Sequence, residues 1–282
     1  MHVSMPMNMN ATTNKPKGKI ETFNLFAPKL KDQLRTIRVY LPPNYDKAKD
    51  KHYPVLYMHD GQNLFFNRDT AFKNGAWQVH LTLDKFYEQK INEGFIIVGI
   101  DSSTKDRTEE MSLLPVQKRY YILTKTSNLG QEYSDFITFT LKDYIDKHYR
   151  TKQDETYIGG SSMGGICSLI MALNHPSIYK GALCFTPAGM IHYQHDLKCL
   201  FKEKTHEMQI NNITFPKLFF MVGGVGLEQV IKPFCDFAIP SLVRLGYEYG
   251  NNITYVFKPK YEHNEKAWAK VFPDAFMWMT SK

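Results

Sequence analysis

The chain has 282 residues, 43% of them hydrophobic, and carries a net charge of +7 with a pI near 9.0. That length suits one large α/β domain and buries about three quarters of the unfolded surface. The basic residues are scattered, with "KPKGK" and "KPKYEHNEKAWAK" as the densest patches, so the excess reads as a surface field and no nucleic-acid partner is expected.

Residues 1–18 have no periodicity and no apolar signal core, and they read as a disordered arm ahead of a single domain over 19–282. "IETFNLF" (20–26) and "RTIRVYL" (35–41) predict an antiparallel strand pair, and "LPPNYD" ends the second strand in a turn. Six short, nearly continuous apolar runs follow: 53–59, 94–100, 155–160, 181–187, 217–223 and 253–258. Such runs suit parallel strands covered on both faces.

Helical patterns alternate with them over 76–91, 131–149, 163–175, 228–247 and 264–279. The third is apolar on almost every face and predicts a buried helix. Pro233 and Pro240 should break or kink the fourth, and Pro273 the fifth. The stretch 188–215 has no clear periodicity and could form a lid or an insertion over the carboxyl edge of the sheet. The alternation predicts an α/β fold: a mostly parallel central sheet, helices on both faces, and antiparallel strands at the N-terminal edge. No run approaches the roughly 18 apolar residues of a membrane span, so no membrane contact and a cytoplasmic location are expected. The four cysteines form no CxxC pair and read as buried free thiols.

The segment "YIGGSSMGG" (157–165) holds a G-x-S-x-G match centred on Ser162. A strand precedes it and a buried helix follows, which is the setting a nucleophile elbow requires. A serine at such a sharp turn sits in strained backbone, and side chains two positions away would clash with neighbouring backbone. Gly160 and Gly164 avoid that clash. The amide of Met163 then points where an oxyanion would form, at a helix N-terminus that favours negative charge. Ser161 is expected to point away from the pocket. A phosphate-binding loop competes weakly, because no lysine follows.

An alcohol needs a base, and the chain order in this architecture is serine, acid, histidine. His263 falls after the last strand, in "KYEHNE" before the closing helix, and is the expected base. His192, His195 and His206 read as surface or lid residues. The acid should follow the strand 217–223. Glu228 is the first carboxylate there, and Asp236 reads as a solvated helix residue. A second oxyanion donor is expected from "HDGQN" (59–63), with the amide of Gln62 or a neighbour facing the elbow.

"RTIRVYLPPNYD", "YPVLYMHDGQNLF", "ETYIGGSSMGG" and "YEHNEKAWAKVFPDAFMWM" together resemble the Putative esterase family of the α/β-hydrolase superfamily. That family takes in esterase D, the feruloyl and acetyl-xylan esterases, siderophore esterases and the mycolyltransferases. The resemblance spans residues 20–280. It implies Ser162 as nucleophile, His263 as base, the amides of Met163 and Gln62 as oxyanion hole, and no metal or cofactor. The family places its acid a few residues after the strand, at a position matching Gly226 here. Either the loop is remodelled so that Glu228 reaches His263, or the acid is missing. The expected activity is a serine ester hydrolase acting on small, sugar-type or siderophore-type esters. An acyltransferase using the same acyl-enzyme, or an impaired hydrolase fold kept as a binding module, are the alternatives.

Overall fold

The computed structural model describes residues 16–31, 33–70, 75–120 and 129–281. Most of the expected N-terminal arm, residues 1–15, lies outside the described residues. Eight strands form one sheet: β1 (Lys19–Phe26), β2 (Leu34–Leu41), β3 (Tyr53–His59), β4 (Ile96–Ile100), β5 (Thr151–Ser161), β6 (Tyr179–Phe185), β7 (Lys217–Gly223) and β8 (Ile253–Lys258). Their order is β1-β2-β4-β3-β5-β6-β7-β8. β2 pairs antiparallel with both β1 and β4, and every later pair is parallel.

Continuous apolar runs are needed because both faces of the sheet are covered. Val55 and Tyr57 of β3 enter one core, while Leu56 and Met58 enter the other. Leu218 and Phe220 of β7 divide from Phe219 and Met221 in the same way. This is the two-residue repeat of a strand serving two hydrophobic layers.

Helices α1 (Val79–Glu88) and α8 (Glu265–Thr280) cover one face. The other face holds α3 (Gly130–Asp135), α4 (Lys142–His148), α5 (Met163–Asn174), α6 (Gln194–Ile210) and α7 (Glu228–Arg244). A π-helical segment, Phe136–Leu141, joins α3 to α4, and the short α2 (Arg107–Glu110) follows β4. Among the described residues no helix is long and apolar enough to cross a membrane.

Three expectations are corrected. The stretch 188–215 is not a lid: α6 fills it as the crossover between the parallel strands β6 and β7, packed against α5 and α7. Its buried residues, Leu197, Phe201, Thr205 and Met208, form so narrow a stripe that the polar remainder hid the period. Pro233 and Pro240 do not break α7, because both lie on its exposed side, where carbonyls freed by the missing amides can turn to water. Pro273 is likewise inside an unbroken α8.

His192 is also not a surface residue: it is 1% exposed. It forms a β-bridge with Val116, and its carbonyl accepts from Gln117 Nε2 at 2.6 Å. His195 and His206 are exposed, as expected. Cys167, Cys184 and Cys235 are buried free thiols, while Cys199 is exposed.

Burial pushes the pKa of His192 and of His59 down to about 4. In the fold both rings are therefore held neutral, whereas unfolded histidine titrates near 6.5. As pH falls the unfolded chain takes up protons first. The stabilisation is whole above pH 6.5 and is lost toward pH 4, amounting to about 2–3 kcal/mol per ring by pH 4.5. Urea unfolding at pH 7 and pH 4.5 should therefore differ by several kcal/mol. Equal stability at the two pH values would contradict this assignment.

Candidate active site

β5 ends at Ser161 and α5 begins at Met163, so Ser162 alone makes the turn, with φ 56° and ψ −117°. A non-glycine residue pays strain there, and its neighbours hold it in place. The Ser162 amide donates to the Phe185 carbonyl at 2.9 Å, and the Ser162 carbonyl accepts from Gly165, Ile166 and Ala188. A Cβ on Gly160 would lie 2.9 Å from the Gly164 carbonyl carbon, and one on Gly164 would lie 2.9 Å from His59 Cβ. Both glycines are thus required by close backbone approach. Met163 is the first residue of α5, so its amide has no acceptor within the helix.

Ser162 and His263 line one cavity of about 150 Å³. Ser161 lines it too, contrary to the expectation that it points away. Ser161 is the last residue of β5, so its place at the rim of the turn brings it to the same opening. The rest of the wall comes from Asp60, Asn63, Arg107, Glu265 and Trp268.

Glu228, the first residue of α7, is fully buried. Its Oε1 lies 3.0 Å from His263 Nδ1 and also accepts from the Thr186 hydroxyl at 3.0 Å. Its Oε2 accepts from the Gly223 amide at 2.7 Å. Glu228, two residues beyond Gly226, thus reaches His263. Gly226, with φ +63°, lets the chain turn ahead of α7, and the carboxylate reaches back under His263. Asp236 is exposed and pairs with Lys232, as expected of a solvated helix residue.

Thr186 carries no signal as a site residue in the sequence, yet it holds the cluster together. Its hydroxyl accepts from Trp268 Nε1 at 3.0 Å while donating to Glu228. Trp268 meets the His263 ring edge-on, with ring centroids 5.0 Å apart at 86°. The imidazole is therefore fixed by a carboxylate at one nitrogen and an indole against its ring.

On the other side, Asp60 has φ 56° and starts the 3-10 turn Gly61–Asn63, which places the Gln62 amide in a first turn without an intrahelical acceptor. The Gln62 side chain pins this turn to the loop after β4, donating to Ser102 Oγ at 2.9 Å and accepting from the Ser102 amide at 3.1 Å. Asp60 takes two bonds from Arg107, at 2.6 Å from Nε and 2.7 Å from Nη2. Burial pushes the Asp60 carboxyl up, but the Arg107 guanidinium outweighs it and holds the group below the usual range. Asn63 Nδ2 donates to Glu265 Oε1 at 3.2 Å, joining this turn to the start of α8. His59, at the end of β3, lies behind the elbow with Nδ1 2.9 Å from the Tyr133 hydroxyl. Arg107 and the side-chain roles of Asp60, Asn63 and Glu265 were not read from the sequence. Only Glu265 had a signal, lying in the H-N-E-x-x-W segment.

The described chain is similar to several solved structures. A siderophore hydrolase from Aspergillus nidulans matches with 15% identity over 100% of both chains, at a TM-score of 0.72. A feruloyl esterase module from Clostridium thermocellum matches with 16% identity over 93% of this chain and 88% of its own, at 0.66. An S-formylglutathione hydrolase from Staphylococcus aureus matches with 16% identity over 94% and 98%, at 0.61. At these identities the likeness shows the α/β-hydrolase fold. A sequence model of the family described as Putative esterase matches residues 29–212, a span that includes the turns at Ser162 and at Gly61–Asn63 but ends before Glu228 and His263. On that match the chain belongs to the Putative esterase family and is an esterase.

Proposed function

We propose that the chain is a serine carboxylic-ester hydrolase contained in one domain over 19–282, with Ser162, His263 and Glu228 as its catalytic residues. The observation that carries this reading is the 3.0 Å bond from Glu228 to His263 Nδ1, with the same ring sharing a cavity with the elbow serine. The carboxylate holds the proton on Nδ1, which leaves Nε2 free to act as base. Ser162 Oγ attacks the ester carbonyl as Nε2 takes its proton. The amides of Met163 and Gln62 receive the oxyanion, each such donor contributing about 3 kcal/mol. The imidazolium returns the proton to the leaving alcohol, an acyl-enzyme remains, and water releases it by the same steps. The small cavity, with Asp60, Asn63, Arg107 and Glu265 in its wall, favours a compact polar group beside Ser162, as in a small ester or one end of a sugar- or siderophore-type ester, over a long-chain lipid.

A fluorophosphonate probe tests the activated serine directly. Folded protein should be labelled at Ser162 alone, as read by peptide mass spectrometry. No label on folded protein would refute the reading.

A further inference from the structure

The cavity beside Ser162 carries charged groups that the proposed reaction does not use: Asp60, Arg107 and Glu265. Asp60 and Arg107 neutralise one another through two bonds. Glu265 has no such balance: among the described residues no ion pair joins it to a lysine or arginine. It is 4% exposed, and its side-chain partner is Asn63 Nδ2 at 3.2 Å. A carboxylate offers about four acceptor positions, and Asn63 and the amide of Glu265 itself take two, so about half of its capacity remains for whatever occupies the cavity. Burial raises the Glu265 carboxyl, outweighing the bond from its own backbone amide, and the nearby Asp60 adds to the rise against the smaller lowering pull of His263 and Arg107.

We infer that Glu265 is the specificity-determining residue of the site. It selects esters that carry a hydroxyl or ammonium within two bonds of the carbonyl carbon on the acyl side or three of the ester oxygen on the alcohol side, and it rejects those carrying a carboxylate there. This rests on the esterase reading above. The proximity follows from size, since about 150 Å³ holds roughly five waters' volume and so only a few heavy atoms fit. The donor follows from chemistry. A buried acceptor left unpaired by an alkyl substrate is costly, and a second carboxylate beside it is repelled in a site that water screens poorly.

Two isosteric ester series separate the acyl from the alcohol side. Ethyl isobutyrate, lactate, alaninate and methylmalonate vary the acyl group, and acetates of 1-propanol, ethylene glycol and glycolate vary the alcohol. In one series the donor-bearing member should exceed its alkyl partner in kcat/KM by about 30-fold or more, with the carboxylate member lowest. Glu265→Gln keeps an oxygen for Asn63 but removes the charge. It should cut the alaninate-to-isobutyrate ratio by about tenfold, lower the lactate ratio less, and relieve the carboxylate member. A purely structural role would change the rates of all members together and leave these ratios alone. Ratios unchanged within about twofold in both series would overturn the proposal. So would a wild-type protein that hydrolyses no member of either series yet is labelled at Ser162. Loss of labelling itself would instead remove the esterase reading on which the proposal stands.

Discussion

Ser162→Ala should lower kcat on a small aryl ester by at least about 10⁴-fold, because a nucleophile removed from such a constellation leaves only binding and oxyanion stabilisation. Alanine keeps the Cβ, so the strained turn at φ 56° is not relieved, and the backbone bonds of residue 162 to Phe185, Gly165, Ile166 and Ala188 are retained. The variant should therefore match the wild type in circular dichroism and unfolding midpoint while losing turnover. Activity within tenfold of wild type would mean that another group attacks the carbonyl.

Glu228→Gln should cost about 10³–10⁴-fold in kcat. The carboxylate accepts on both oxygens, from Gly223, Thr186 and His263, so an amide NH₂ in its place meets a donor whichever way it turns. Turned toward His263, it stabilises the tautomer with the proton on Nε2, which cannot act as base. Turned toward Gly223, it leaves that buried amide without an acceptor, a loss of about 1–3 kcal/mol. Steady-state kinetics and urea unfolding on the same preparation separate the two effects. A Glu228→Gln enzyme with more than a tenth of wild-type kcat would show that the carboxylate serves the fold and not the chemistry.

The sheet was legible because its strands are covered on both faces. The apolar runs at 53–59 and 217–223 coincide with β3 and β7, since few polar positions interrupt a strand that serves two cores, whereas β8 matches its run 253–258 at the half-buried edge of the sheet. α5 was legible for the same reason, being buried on nearly all sides. α6 was not, because its buried stripe is one residue wide and its other faces are charged. His192 was misplaced because a histidine beside polar residues looks solvated. Its burial depends on Val116 and Gln117, more than 70 residues away in the chain.

The sequence by itself determined the elbow. Gly160 acts on the backbone of Gly164, which is local in the chain, and the G-x-S-x-G spacing between a strand and a helix identifies the turn and the residue at its tip, although Gly164 acts against the distant His59. The place of His263 in the loop just before the last helix was legible too, since strand and helix signals count in order. Only the tertiary structure decided whether Glu228 reaches that histidine. The contact depends on Gly226 turning the chain, on Thr186 and Gly223 receiving the carboxylate, and on Trp268 holding the ring from another helix. It likewise decided the character of the cavity, where Asp60, Arg107 and Glu265 meet from three separate segments. Side-chain hydrogen bonds and buried charges between distant segments follow no period in the chain, so they become visible only when the sheet brings its loops to one edge.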